Sequence, residues 1–596
     1  MRFDPPEQLG KPFGILVESH IDHITVLTKD ADVAIGDLFL LPCCRMPKRF
    51  YFFRASACTN ATHHPLDPDD TKPNKTAATT EEQSDESLLV LNGTMLGYSQ
   101  YAPKNDTWTF QRLRRFPFNR SKVFHVDPSH PAVVRMVREL LQSQLGKDGI
   151  YLGNLLVGET SLRDVPVYLP PFALSRHIGI FGRSGSGKSH LMMVLLASVM
   201  QHNQNVRNGD HRGSSVSIFA IDPHDEFRNG QAFNGLRGIR DIVNDYSKTD
   251  LSQLVEPFYY LSARDLGNEG LERHVHLSRA DITPDDLASI MTFSDQQKTY
   301  ANQLYEDQGE NWIGRLLSGD VHFDGEREDC VAFPLDIIAA VQRHIEFLGC
   351  GSTRVVTRFD PEMDLEYESS LPDILCALEQ GRCLLVETTL MSESEQFLLN
   401  AIVARTLFGL RRALRAATTP KDLREEIRRA LHNNEDQGQV GMRSLADEMI
   451  ARLESGDLPY LTEDGIRLLD ELPHVNIVIE EASRILNAKC MRERNIFRDL
   501  GRQGYKFGIG LTVISQQVTP IDKGILSQLN TEITFGLGNA DERRAAVRNA
   551  SGDLGNFTDE LSVLERGQML ISSSLTDMII PVQVPADEPD PPKVTF

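Results

Sequence analysis

Two patterns of apolar and polar positions divide the chain. Up to about residue 170, short apolar runs at 13–18, 24–27, 38–42, 51–54 and 88–91 are separated by turn-forming residues. That spacing predicts a small barrel or sandwich of strands. Residues 59–87 interrupt it; they are polar, lack Phe, Tyr, Trp, Val and Ile, and are expected to form a disordered surface loop. An amphipathic helix is expected at 131–144. From about residue 175 the runs become almost continuously apolar, at 177–181, 216–222, 258–262, 383–389, 475–480, 509–515, 531–537 and 568–572. Buried parallel strands read this way, and their alternation with helical segments predicts an α/β domain. The expected order is a β-rich part over 1–170, α/β core at 171–281, 371–393 and 471–585, helical insertions at 282–370 and 394–470, and an extended or disordered tail at 586–596. A flexible link is expected inside the second insertion, at 432–441.

The chain has 596 residues, enough for about four domains or one large domain with attachments at ~150 residues each. Its longest strongly apolar run, 191–200, is half of the ~20 residues a bilayer requires. The opening MRFDPPEQLG does not have the form of a signal peptide, so the expected location is cytoplasmic. Eight cysteines are too sparse for a disulfide scaffold, and Cys43, Cys44, Cys58, His63 and His64 include no C-x-x-C pair to suggest zinc. The formal charge of −22 argues against a surface coated for unspecific DNA binding, while leaving room for a local basic surface.

The main chemical signal is Gly182-Arg183-Ser184-Gly185-Ser186-Gly187-Lys188-Ser189, a complete G-x-x-x-x-G-K-[ST] motif. An apolar strand precedes it and a helix-forming run follows. Glycines let backbone N–H groups converge on phosphate, and the helix N-terminus adds favourable partial charge. Gly182, Ser184, Gly185, Ser186, Gly187, Lys188, Ser189 and His190 are the candidate nucleotide contacts, with Lys188 on the β- and γ-phosphates and Ser189 on Mg²⁺.

Hydrolysis also needs an acid near the metal and a group to orient water. The strand before Glu480-Glu481 ends in adjacent carboxylates; Glu480 is assigned to Mg²⁺ and Glu481 to the attacking water, the alternative being acids at an exposed helix start. A second acidic strand end, Asp222-Pro223-His224-Asp225-Glu226, offers Asp222 as a further metal contact and Glu226 near the γ-phosphate, or forms a simple Asp-Pro turn. Gln516, past another apolar strand, either senses the γ-phosphate or holds the lytic water, the alternative being a simple cap.

Together these residues resemble the HerA family of hexameric RecA-like ATPases, relatives of FtsK-type DNA pumps. The likeness includes 174–182, Asp222-Pro-His-Asp-Glu-Phe, Val478-Ile-Glu-Glu-Ala, Gly501-Arg-Gln-Gly-Tyr-Lys-Phe-Gly, Ile514-Ser-Gln-Gln, Ser527-Gln-Leu-Asn-Thr and Leu564-Glu-Arg-Gly-Gln. It implies a RecA-like P-loop ATPase core with an N-terminal β-barrel, ATP and Mg²⁺ as ligands, and a homo-hexamer with ATP sites between subunits. It also implies that Arg176 is an arginine finger donated to a neighbour; the alternative is a structural ion pair. The chain departs from the family at Tyr505, where a second arginine is usual and Lys506 or Arg502 could substitute, and at Asp225, where glycine is usual. The basic run Lys489, Arg492, Arg494, Arg498, Arg502 and Lys506 could face a pore and track double-stranded DNA by its phosphates, or form an ion-paired face. The resemblance further implies a separately encoded effector, a nuclease or sirtuin-like NADase, docking on the barrel, with a role in antiphage defence or in DNA end processing. No membrane partner is expected.

Overall fold

The computed structural model describes residues 9, 11–30, 32–46, 48–60, 88–104, 107–127, 130–209, 214–231, 236–239, 258–264, 272–319, 333–348, 355–357, 367–431, 443–491, 495–552 and 554–585. The expected loop at 59–87, apart from its first two residues, the link at 432–441 and the tail at 586–596 lie outside the described residues. The chain forms two units: Met1–Asp148 and Leu152–Leu169 with Thr534–Pro585, and Gly149–Tyr151 and Pro170–Ile533 with Ala586–Phe596.

In the first unit, seven strands are β1 (Gly14–Ser19), β2 (His23–Thr28), β3 (Leu38–Pro42), β4 (Arg49–Asn60), β5 (Leu89–Ala102), β6 (Thr107–Gln111) and β7 (Lys122–His125). Their order is β2-β1-β7-β3-β4-β5-β6, and β2 pairs back to β5, so six strands close into a barrel with β6 added outside. Inward residues such as Ile24, Val26, Phe39, Phe53 and Leu91 fill it. Register shifts between Phe52 and Phe53 and between Ala55 and Ala57 bend β4 around the closure. Helix α1 (Pro131–Leu145) and the strands β8 (Ile150–Val157) and β9 (Thr160–Leu169) follow. The expected N-terminal part ended at residue 170; this unit also takes in Thr534–Pro585, through the buried Arg54 guanidinium, which donates to both Glu560 oxygens at 3.0 and 2.5 Å.

The second unit has the expected α/β class. Its strands are β10 (Ile178–Phe181), β11 (Val216–Asp222), β12 (Phe258–Ser262), β13 (Glu272–His274), β14 (Cys383–Glu387), β15 (His474–Ile479), β16 (Ile509–Ser515) and β17 (Thr531–Phe535). They lie in the order β13-β12-β14-β11-β15-β16-β10-β17. Pairing from β13 through to β10 is parallel. Strands β10, β11, β14 and β16 are buried along their whole length, which is why their sequences lack alternation. The first helical insertion holds Pro284–Ile290, Asp295–Gln308, Trp312–Ser318 and Leu335–Ile345. The second holds Glu393–Ala416, Pro420–Leu431 and Arg443–Ser455. Arg411 anchors this second insertion: fully buried, it pairs with Glu379 and donates to the carbonyls of Phe507 (2.7 Å) and Pro473 (2.8 Å).

Candidate active site

The glycine loop leaves the buried end of β10 and enters α2 (Lys188–Arg207). Gly185 and Gly187 have φ of 73° and 114°, a left-handed backbone that side-chain-bearing residues avoid. Successive amides can then face one concavity, the arrangement that binds anions. Ser184 is exposed, Ser189 and His190 are half-buried on the first turn of α2, and the Ser186 hydroxyl is buried without a hydrogen-bond partner among the described residues. Lys188 Nζ donates to the carbonyls of Gly182 (2.8 Å) and Arg183 (3.1 Å), folded back over the loop. Burial lowers its pKa, while Glu481 and Glu480 act in the opposite direction.

Strand order completes the site. Strand β16 lies between β15 and β10, so Gln516, immediately beyond β16, falls between the acidic strand end and the glycine loop. Gln516 Nε2 donates to Glu481 Oε1 at 3.2 Å. Glu481 is exposed and holds a left-handed backbone with φ of 47°, an unusual conformation for a glutamate that turns the chain sharply after β15. Glu480, half-buried, accepts no hydrogen bond among the described residues. Burial pushes its carboxyl up to about 8, helped by repulsion from Asp222, Glu226 and Glu481 and opposed by Lys188.

Asp222 ends β11 and is 1% exposed. Its Oδ1 accepts the Glu226 N–H (2.9 Å), and its Oδ2 those of Phe227 (2.9 Å) and Arg228 (3.2 Å). Burial raises this carboxyl to about 6, with those amides opposing. Both oxygens are thus engaged in shaping the turn, and a direct metal contact would compete with those bonds. The turn passes through Asp225 at φ of 55°, a conformation natural to glycine and tolerated by aspartate. Glu226 follows, half-buried and close enough to raise Glu480.

Among the described residues no group of three or more His, Cys, Asp or Glu side chains could hold a metal alone. Mg²⁺ does not need one; it usually takes one or two carboxylates together with substrate phosphates and water. The Ser189 hydroxyl and the Glu480 carboxyl are oxygen donors of that kind, and a divalent cation would relieve the repulsion that Asp222, Glu226 and Glu481 exert on Glu480.

Arg176 closes the 3-10 turn Pro171–Arg176. It is exposed, sits over the Phe172 ring at 5.0 Å, and makes no hydrogen bond or ion pair among the described residues. The alternative of a structural ion pair is therefore not what the described residues display. Tyr505 is 50% exposed with Lys506 over its ring at 5.9 Å. Of the basic run, Arg492 and Arg494 lie outside the described residues, and Lys489, Arg498, Arg502 and Lys506 make no ion pair within the described ones.

One group escaped the sequence reading. Past the end of β12, Arg264 donates to Glu387 Oε1 (3.2 Å) and Thr389 Oγ1 (2.8 Å) and lies 3.6 Å from Asp225. It braces the acidic turn from the neighbouring strands. Its sole signal is its place beyond an apolar strand, which says nothing until strand order is known.

A glycine loop, acids two strands away and a polar amide on the strand between them define an ATPase of the P-loop class with a RecA-like core. Residues 150–345 match the family model described as the central domain of the helicase HerA. The chain is similar to the DNA double-strand break repair helicase HerA of Pyrococcus furiosus, 22% identical over 73% of this chain and 69% of that protein. It is also similar to the HerA of Saccharolobus solfataricus, 20% identical over 80% of this chain and 81% of that one. Among solved structures, the plasmid coupling protein TrwB with a non-hydrolysable ATP analogue aligns over 71% of this chain and 88% of that one, at 11% identity and a TM-score of 0.40. So loose a likeness leaves the fold assignment to the strand order itself. No helix among the described residues is long and apolar enough to cross a membrane.

Proposed function

We propose that this chain is a HerA-type, ring-forming ATPase that uses ATP hydrolysis to move along double-stranded DNA and works with a separate effector protein. The observation that carries the catalytic part is the Glu481–Gln516 pair, 3.2 Å apart, Gln516 just past the strand next to β10 and Glu481 just past the one beyond it. In this reading Lys188 swings from the loop carbonyls to the β- and γ-phosphates, and Ser189 and Glu480 would hold Mg²⁺. When bound, Mg²⁺ would neutralise charge on the phosphates. Glu481 orients the attacking water and accepts its proton, and Gln516 fixes that carboxylate. Arg176, which has no anionic partner in its own chain's described residues, reaches the γ-phosphate held by the adjacent subunit and stabilises charge developing there.

The DNA assignment draws on the names of the relatives and on the cations Lys489, Arg498, Arg502 and Lys506, which make no ion pair within 4.0 Å among the described residues. Those contacts would go to backbone phosphates, without sequence preference. The polar 59–87 stretch and the enlarged second helical insertion motivate a role in antiphage defence, and the family resemblance a nuclease or NADase partner; the relatives' names favour DNA double-strand break repair, which fits an end-processing motor. The −22 charge motivates a second reading, a nucleotide-gated scaffold for the effector. Turnover of ATP with and without duplex DNA separates them. The motor requires stimulation by DNA that weakens steeply with salt; stimulation by the effector alone would overturn it in favour of the scaffold.

A further inference from the structure

The segment that carries Arg176 is bolted to the two strands that end in the hydrolytic residues. Asn476 lies inside β15, fully buried between apolar neighbours, where an amide is costly unless bonded. Its Nδ2 donates to the Leu174 carbonyl at 2.6 Å, and its Oδ1 accepts the Thr512 hydroxyl of β16 at 2.7 Å. Beside it, the backbone of Gly510 meets the same carbonyl so closely that a Cβ there would sit 1.9 Å from the Leu174 oxygen. The next residue after the finger, His177, is 2% exposed with φ of 58°, and its Nδ1 accepts the Leu511 N–H at 3.0 Å. Arg176 is thus held between Leu174, fixed to β15 and β16, and His177, fixed to β16, while its own side chain stays exposed over Phe172. From Asn476 the chain reaches Glu480 after four residues, and from Thr512 it reaches Gln516 after four.

We infer that Asn476, with Thr512, is a positioning residue for the arginine finger: the amide transmits the placement of the hydrolytic strands to the Leu174–His177 segment, so that the state of a subunit's own nucleotide site governs the arginine it offers its neighbour. The inference rests on the neighbour-donated finger proposed above. A shift of β15 or β16 when their ends engage nucleotide cannot leave Leu174 behind without breaking a buried hydrogen bond, and breaking it leaves an amide and a carbonyl unsatisfied. A rigid element fixed at both flanks moves as a body rather than by bending. Asn476 touches no substrate.

Complementation in mixed oligomers tests this. Asn476→Asp keeps side-chain volume and the acceptor for Thr512 and replaces the donor to Leu174 with an oxygen. It is expected to lower ATP turnover about 10-fold or more with nucleotide affinity changed less than about 3-fold. Co-assembled with Glu481→Gln subunits it should regain turnover, because the latter supply a well-placed Arg176 to its intact site; about one interface in four is then competent in an equal mixture. Co-assembled with Arg176→Ala it should regain none. Rescue by Arg176→Ala, or by neither partner, overturns the inference. Thr512→Val, close in shape to the native residue, should fall in the same complementation group with a smaller loss and carries the test if Asn476→Asp does not fold. The Arg176→Ala and Glu481→Gln mixture is the control: without rescue there, the neighbour-donated finger itself fails, and with rescue there a contrary result bears on Asn476 alone.

Discussion

Strands β11 and β15 are neighbours, equally apolar and each followed by carboxylates, yet they treat those acids in opposite ways. At Asp222 the backbone curls back and gives the buried carboxylate amide donors from Glu226, Phe227 and Arg228. Its pKa rises only to about 6, because those bonds offset much of the burial. At Glu480 the chain instead turns away through the left-handed Glu481, no amide among the described residues donates to it, and burial, with repulsion from Asp222, Glu226 and Glu481 and against the attraction of Lys188, pushes the group to about 8. One acid is satisfied by its own chain and shapes a loop. The other accepts no hydrogen bond among the described residues and is opposed only by the charge of Lys188, which suits the metal role proposed for it. Hydrogen-bond accounting thus separates a carboxylate spent on its own turn from one left without a donor, a difference that sequence context does not show.

The difference can be broken in several ways. Lys188→Ala should have the largest effect, reducing turnover to background by removing both the phosphate contact and the cation that opposes the charge around Glu480; turnover near the native rate would remove the glycine loop from the mechanism. Glu481→Gln should leave nucleotide binding intact and slow hydrolysis about 10²-fold or more. Equal slowing of binding and hydrolysis would show that the residue holds nucleotide and not water. Asp222→Ala should act mainly on folding, since it leaves buried amides without acceptors at about 1–3 kcal/mol, and should lower the melting temperature by a few degrees. An unchanged melting temperature with lost Mg²⁺ dependence would reverse the roles assigned to the two acids.

The smallest effect is a pH-dependent one elsewhere in the sheet. Glu532 in β17 is 1% exposed, and its Oε1 has no hydrogen-bond partner among the described residues. Burial raises this carboxyl from 4.5 to about 8. The folded chain therefore holds its proton where the unfolded chain has lost it. Glu532 favours folding fully below about 4.5 and opposes it increasingly as the pH climbs to about 8. Glu532→Gln should leave thermal stability at pH 5 nearly unchanged and raise the melting temperature by a few degrees at pH 9. Equal shifts at both values would mean that burial of the charge is not the cause.

Much of the second unit was legible because buried parallel strands write themselves as apolar runs. The expected strands at 216–222, 258–262 and 509–515 have the observed bounds, and β10, β14, β15 and β17 differ only at their ends. The amphipathic helix expected at 131–144 is α1, Pro131–Leu145, one residue longer. The glycine loop was equally plain, since its chemistry is local: glycines for left-handed backbone, then lysine and serine on the first turn of a helix. What stayed hidden was pairing between distant segments. Arg264 bracing Asp225, Arg54 holding Glu560 and Asn476 holding Leu174 join residues far apart in the chain, and no local spacing announces them.

The amino-acid order alone thus determined which segments are buried strands, which loop can cradle phosphate and which carboxylates stand at strand ends, because each follows from neighbours along the backbone. Tertiary structure decided that β16 lies between β10 and β15, that Gln516 therefore meets Glu481, and that Asp222 spends its oxygens on its own turn while Glu480 does not. The physical reason is the range of the forces involved: backbone preference and hydrophobic periodicity act over a few residues, whereas the hydrogen bonds and repulsions that give each acid its role act across space between strands that the chain reaches only after hundreds of residues.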